Sequence, residues 1–599
     1  MKPTTYPSLR RNMFKIKAGS SRRGRRAFSG VVALSLLTGV LVSCSSSSGG
    51  AGGTLTFLTN AESWTHADPN RNYTGQHIAW FGSFMHRTLT AYARAEGAAG
   101  SEVVPDLATD TGRSSNGNKT WEFTLRDGVK FEDGSDITCE DVKYGVSRTF
   151  ATDVITDGPT YAISMLDIPS AADGSSVYKG PYKTDGNDTA AYDKAVTCSE
   201  DNKTITFNLK RAVGDFNYTV TYLSFSPVPK AKDTGDQYDL APVSSGPYKI
   251  EKYKAKDEMV LVRNESWSKD SDPIRNAYPD KIVVRFGVAE EVRDQLILND
   301  SEPAAFSLDG ILPTNLATVF NEDGTPKEEW QGRALNVYDP YVTYTAVNVA
   351  KVPCVQIRKA LYYARDFAAL LQLGGGPAFG GDPADGVIKP LMGLDYKPVT
   401  GLEDFKPEGN PEKAQALMAE AKTACPDVYA KATGPGLTFD VGDTDTNKKS
   451  ATIWIDSVKK NAGINLKFNF IEPGQYYAVV FDTTKQGDLS RAGWAPDWAN
   501  ASTVIPELFL DEGGFPLSRV GKDPAYAEFK SRAQANLSEQ DRAKQGAEWA
   551  ALNQYVMDQM WVIPGVFSKT QEMWGSKLEG IFFWEPQGAP SFGDIKVKS

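Results

Sequence analysis

Residues 491–498 read RAGWAPDW and set one carboxylate, Asp497, between Trp494 and Trp498, behind Gly493 and Pro496. Tryptophan favours burial and aspartate favours water. A carboxylate kept among indoles costs several kcal/mol, roughly, unless a cation or hydrogen-bond donors meet it. No basic residue stands beside it except Arg491, six positions earlier. The chemistry open to this stretch is therefore the meeting of a cation, supplied either by a distant part of the chain or by a ligand.

Other chemistries leave little trace. There is no G-x-S-x-G elbow and no H-E-x-x-H. The three histidines, His66, His77 and His86, are spaced by eleven and nine, which does not put them on one helix face. Phosphate-cradling glycine loops of the P-loop kind are absent, and Gly374-Gly375-Gly376 reads as a helix terminator. No metal or cofactor is called for, and an enzyme is not expected. The formal charge is −10, although the first 43 residues carry nine Lys/Arg and no acid, so the remainder is more acidic still. That balance argues against a nucleic-acid partner.

The basic start is followed by VVALSLLTGVLV, Val31 to Val42, twelve residues too short to span a bilayer but right for a signal-peptide core. Leu41-Val42-Ser43-Cys44 resembles a bacterial lipoprotein processing box. The resemblance implies cleavage before Cys44, lipid on its sulfur, and SSSSGGAGG as a tether. Arg25-Arg26-Ala27-Phe28 also looks like part of a twin-arginine export motif. Four cysteines remain, Cys139, Cys198, Cys354 and Cys425, without CxxC spacing; they allow three disulfide pairings, or buried free thiols.

At 599 residues the chain must form more than one domain. A strand is expected from Thr54, then a helix through Ile78, Phe81 and Met85. Trp121, Phe123 and Leu125 alternate as a strand, Asp127-Gly128 reads as a hairpin turn, and Val129 and Phe131 continue the second strand. Asp133-Gly134 turns again before Thr138 caps a helix with Asp141. Strands follow at Thr204–Leu209, Met259–Val262 and Ile282–Phe286. Further on, Ile357, Ala360, Leu361, Ala364, Phe367 and Ala368 fall on one helix face. Asn410-Pro411 opens another helix, a third ends at Gly463, and a strand follows through Ile464 to Phe470. The mixture is α/β with mixed sheets.

Several segments together resemble one family. TWEFTLRDGVKFEDGSDITCEDV is similar to its hairpin-and-helix signature, with Cys139 where alanine is usual; SSGPYKI resembles its GTGPY turn. LVRNESW, VPCVQIRKALYYARD, NPEKAQALMAEA and RAGWAPDW follow in the family's order over some 500 residues. The family is that of the large bacterial oligopeptide/dipeptide-binding lipoproteins, extracellular solute-binding proteins (family 5) of ABC importers.

The resemblance implies a two-lobed, periplasmic-binding-protein-like fold (a Venus flytrap of type II, cluster C) with an extra subdomain in lobe 1. Residues 1–43 would be signal peptide and 44–53 tether. Lobe 1 would comprise 54–339 plus 561–599, with the subdomain at about 91–225, and lobe 2 would comprise 340–560. Disulfides kept within those lobes would be Cys139–Cys198 and Cys354–Cys425. By the same resemblance Asp497 pairs with a peptide's α-ammonium, Trp494 supplies a wall, and Gly493 lets the peptide backbone approach. Arg491 would meet the peptide carboxylate, and Tyr477 would stand where a pocket tryptophan is common. The partners implied are a peptide, permease subunits with cytoplasmic ATPases, and the membrane through the lipid alone, for an extracytoplasmic monomer. Relatives also carry nickel chelates, haem, sugars or opines, or sense signal peptides. The loop also departs from the family's usual Y-N-E-P continuation, so those ligands stay open.

Overall fold

The computed structural model describes residues 52–156, 158–472, 475–511 and 513–599. Cys44, the expected signal segment and the expected tether up to Ala51 lie outside them.

Alternating strands build the first sheet. Thr54–Leu58 runs parallel to Lys281–Arg285 and to Ala305–Ser307, and Glu258–Arg263 and Tyr248–Lys254 complete the sheet on the Lys281–Arg285 side. In Lys281–Arg285 the buried positions are Ile282 and Val284, the period of two that puts one face on a core. Helix Gly75–Phe84 covers this core with Ile78, Trp80, Phe81 and Phe84.

The 120–131 stretch differs from the expected hairpin. Thr120–Thr124 is a strand, but it pairs with Arg113–Ser115 and, far along the chain, with Thr204–Asn208, Trp121 standing opposite Phe207. Val129 and Phe131 are buried in the core instead of continuing a second strand. The tight hairpin lies one turn later, around Asp133-Gly134, where Phe131 N–H donates to Ser135 O at 2.9 Å and Ile137 N–H to Val129 O at 3.0 Å. Aromatic burial across distant strands outweighs the local turn signal. Helix Cys139–Arg148 then starts as expected, Asp141 accepting from the Thr138 N–H at 2.9 Å.

A second core gathers around the six-stranded sheet, in which Leu489–Trp494 lies between Ala334–Val347 and Leu437–Gly442. Helices Val355–Ala364, Pro411–Ala424 and Asp445–Ala462 pack on it, the last ending at Gly463 in the left-handed region. The apolar face read through Phe367 and Ala368 is in fact two helices. The chain is extended at Arg365, and Asp366 caps a new helix, Phe367–Gln372, by accepting from Ala369 N–H at 2.9 Å. That break, at a capping residue, turns Arg365 inward.

Two long antiparallel strands, Ala334–Val347 and Val562–Met573, link the cores. Ala334 and Met573 pack with Leu58 and Trp330, whereas Tyr344, Ala346, Val562 and Ile563 belong to the second core. The ladder between them is irregular from Tyr338 to Tyr344. There buried Lys389 donates to the carbonyls of Tyr341 and Ser568, both at 3.0 Å, and to that of Asp339, holding the irregular strands with charge-assisted bonds.

Cys139 is bonded to Cys198 and Cys354 to Cys425, at Cα separations of 5.8 and 6.0 Å. The first ties a helix to its neighbouring strand; the second ties the start of Val355–Ala364 to the end of Pro411–Ala424. No helix among the described residues is long and apolar enough to cross a membrane.

Candidate functional site

The strand Leu489–Trp494 positions the site. Its antiparallel register sets Arg491 opposite Thr345 and Gly493 opposite Thr343. On its other edge the pairing with Leu437–Gly442 ends at Ser490. From Arg491 to Trp494 that edge has no strand partner among the described residues, although the Tyr476 hydroxyl donates to Arg491 O at 2.6 Å. A Cβ on Gly493 would meet only Val342 O, at 3.5 Å, an ordinary contact, so nothing inside the protein demands glycine there.

Beyond the strand, the loop crosses to the first core. Trp498 is buried among first-core residues, and its indole N–H donates to Asp215 at 2.9 Å. The Ser502 hydroxyl joins the same carboxylate at 2.9 Å. Asp497 is thereby held against three tyrosines. Tyr161 donates to its carboxylate, Tyr222 donates at 3.1 Å, and Tyr73 at 3.3 Å. Burial raises the pKa of all three phenols, so they stay protonated donors.

Burial likewise pushes the Asp497 carboxyl up, to about 6; the phenols pull it down and nearby Glu507 adds to the rise. At about 1.4 kcal/mol per pKa unit, the ionised form is disfavoured by on the order of 3 kcal/mol. The phenols satisfy its hydrogen bonds and leave its charge unmatched. Asp497 does not cap the turn that follows; Asn500 does, accepting from Ser502 N–H at 2.9 Å.

Asp497 faces a cavity of about 580 Å³. Asp497, Trp494, Gly493 and Tyr477 all face it, together with Tyr73, Tyr222, Asp309 and Glu572 from the first-core side. The Trp494 indole N–H is bonded to Thr503 O at 2.8 Å and its ring packs on Phe515, 5.3 Å between centroids, so its free face is apolar wall. Tyr477 is 54% exposed and stacks edgewise on the same Phe515.

Arg491 lines a different cavity, of about 220 Å³, on the second core. Its guanidinium donates to the Asn447 side chain. Arg365 shares this cavity; it is 3% exposed, stands over the rings of Tyr362 and Phe367, and its Nε–H has no acceptor among the described groups. Burial lowers the pKa of Arg365, and no carboxylate acts on it. Sequence reading had no signal for Arg365, nor for Tyr73, Tyr161 and Tyr222, which lie hundreds of residues from Asp497.

Two cores joined by a pair of crossing strands, with an uncompensated carboxylate at a cavity between them, define a two-lobed solute-binding protein. Residues 102–515 match the family described as "Bacterial extracellular solute-binding proteins, family 5 Middle", and the chain belongs to that family. It is 23% identical over 534 residues to the oligopeptide-binding protein OppA of Bacillus subtilis, covering 86% of this chain and 88% of that one. To the periplasmic oligopeptide-binding protein OppA of Salmonella typhimurium it is 26% identical, covering 66% and 67%. Among solved structures it is similar to "Clavulanic acid biosynthesis oligopeptide binding protein 2", with 26% identity, a TM-score of 0.80, and coverage of 92% and 96%.

Proposed function

We propose that this chain captures short peptides between its lobes and delivers them to an ABC permease, as a monomer lipidated at Cys44 on the outer face of the membrane. The observation that carries the reading is Asp497: a half-buried carboxylate with neutral donors but no cation partner among the described residues, facing a cavity of ligand size. A peptide α-ammonium supplies the missing charge. The strand edge beyond Ser490 offers main-chain pairing to an extended peptide, which gives affinity without reading side chains. Arg491, in the neighbouring cavity, is the candidate for the peptide carboxylate. The names of the oligopeptide-binding relatives support the same class.

Asp497 reaches the ligand from one lobe and the tyrosines from the other. A peptide touching both walls stabilises the closed arrangement because the open one offers it only one wall. The closed form then docks on the permease, whose cytoplasmic partners hydrolyse ATP.

Native mass spectrometry of the purified protein, followed by denaturation and identification of what is released, tests this directly. Co-purified short peptides are expected; a single non-peptide compound would overturn the peptide reading and keep the fold. For the anchor, Cys44→Ala should move the protein from the membrane to the soluble fraction, and retention would exclude lipid at Cys44.

A further inference from the structure

The cavity that holds Asp497 contains a second carboxyl with an unmet need. Glu572 lies on the strand Val562–Met573, paired opposite Leu335, beside Met573 at the first-lobe end. With Thr570, two residues away and so on the same face, it lines the cavity. It is 5% exposed, and its Oε2 has no hydrogen-bond partner among the described groups. The Thr570 side chain beside it lowers the carboxyl's pKa, the smallest of the influences on it.

Arg293 acts on the carboxyl from a distance but forms no ion pair with it. Arg293 is already engaged with Asp309 at 2.9 Å, with Asp294 at 3.1 Å and with Gly310 O at 3.2 Å. Asp309, the other acid lining this wall, adds like charge. Burial first, then Asp309, push the Glu572 carboxyl up to about 8. A buried acid without its full set of partners is destabilising, and an apolar side chain of similar volume would fit a core better. Its position is explained if a cation arrives with the ligand.

We infer that Glu572 is a second cation subsite of the cleft, and that the preferred ligands are peptides carrying a cationic side chain in addition to the α-ammonium. The inference rests on the peptide reading above. It assigns Asp497 to the ammonium common to all peptides and Glu572 to selection among them.

Isothermal titration with Lys-Ala-Ala, Ala-Lys-Ala and Ala-Ala-Lys, each against its norleucine counterpart, isolates the charge at nearly constant shape. At one position at least, the lysine peptide should bind about ten-fold tighter or more. Glu572→Gln should erase that ratio, and a melting temperature close to that of the wild type reports that the variant folds. If it does not fold, Glu572→Asp, which keeps the charge, should retain a lysine preference. Equal binding of lysine and norleucine peptides at all three positions, or a preference that survives Glu572→Gln, overturns the inference. If the wild-type protein binds none of the six peptides, the peptide reading fails separately. The subsite is then read with 1,5-diaminopentane: binding lost in Glu572→Gln supports it, and equal or absent binding overturns it.

Discussion

The hydroxyl of Tyr161 donates to the carboxylate of Asp497 across 336 residues of sequence. Tyr161 opens a short helix packed on the first core, and Asp497 follows a strand of the second. The bond joins the two lobes at the point where a ligand would be gripped. A neutral phenol satisfies a carboxylate's geometry without cancelling its charge, so the pair can hold the cleft and still leave a cation welcome.

Asp497→Asn keeps the shape while removing the charge and turning one of the two accepting oxygens into an N–H donor. Affinity for peptides with a free amino terminus should fall by about 10- to 100-fold. N-acetylated peptides should bind the variant and the wild type alike. Because ionisation of this half-buried group is unfavourable, the melting temperature should be unchanged or higher; a large fall would mark Asp497 as structural.

The Asp497 carboxyl titrates near 6, above its value of 3.8 in an unfolded chain. Its contribution to stability is therefore fully present below about pH 4 and is lost as the pH rises through 6. Binding runs the other way, since an ammonium needs the carboxylate. For free-amine peptides this group should make affinity about ten-fold weaker at pH 5 than at pH 7, with an N-acetylated peptide as the insensitive control. Titration calorimetry at the two pH values measures it.

Tyr161→Phe removes a donor that lowers the Asp497 pKa. The midpoint of the pH dependence should move upward, toward neutrality. An unmoved midpoint would show that the Tyr161 bond is not made in solution.

Arg491→Gln should weaken peptides with a free C-terminal carboxylate by about ten-fold and leave C-amidated peptides unaffected. If both classes weaken equally, Arg491 shapes its cavity and does not read the carboxylate.

The disulfide Cys139–Cys198 closes a loop with a sequence separation of 59. In the chain-entropy view such a link stabilises by up to about 4 kcal/mol. Replacing both cysteines by serine should lower the melting temperature measurably. Peptide affinity should change little, because the link lies away from the Asp497 cavity.

How much could be read from sequence differs from element to element. The Thr138–Asp141 cap, the helix from Pro411 and the Gly463 terminator were legible because caps and helix ends are local physics, complete within a turn or two of chain. The hairpin expected at Asp127-Gly128 failed because Trp121 and Phe123 found Phe207 and Ile205, some 80 residues away, and burial of those rings decided the pairing. The helix read through Phe367 broke because Asp366 caps a new one, which moved Arg365 from a helix surface into a cavity.

By itself the sequence determined that Asp497 is a carboxylate set among tryptophans without a neighbouring cation, and that its segment belongs to a recognisable order of motifs. Composition, caps and alternation are properties of neighbours, and neighbours are what a sequence displays. Only the tertiary structure decided what meets Asp497, namely Tyr73, Tyr161 and Tyr222, and that Glu572 lines the same cavity while Arg491 lines another. Those juxtapositions depend on how two cores pack across a pair of crossing strands. The energy that fixes them is spread over buried surface far from the residues it brings together.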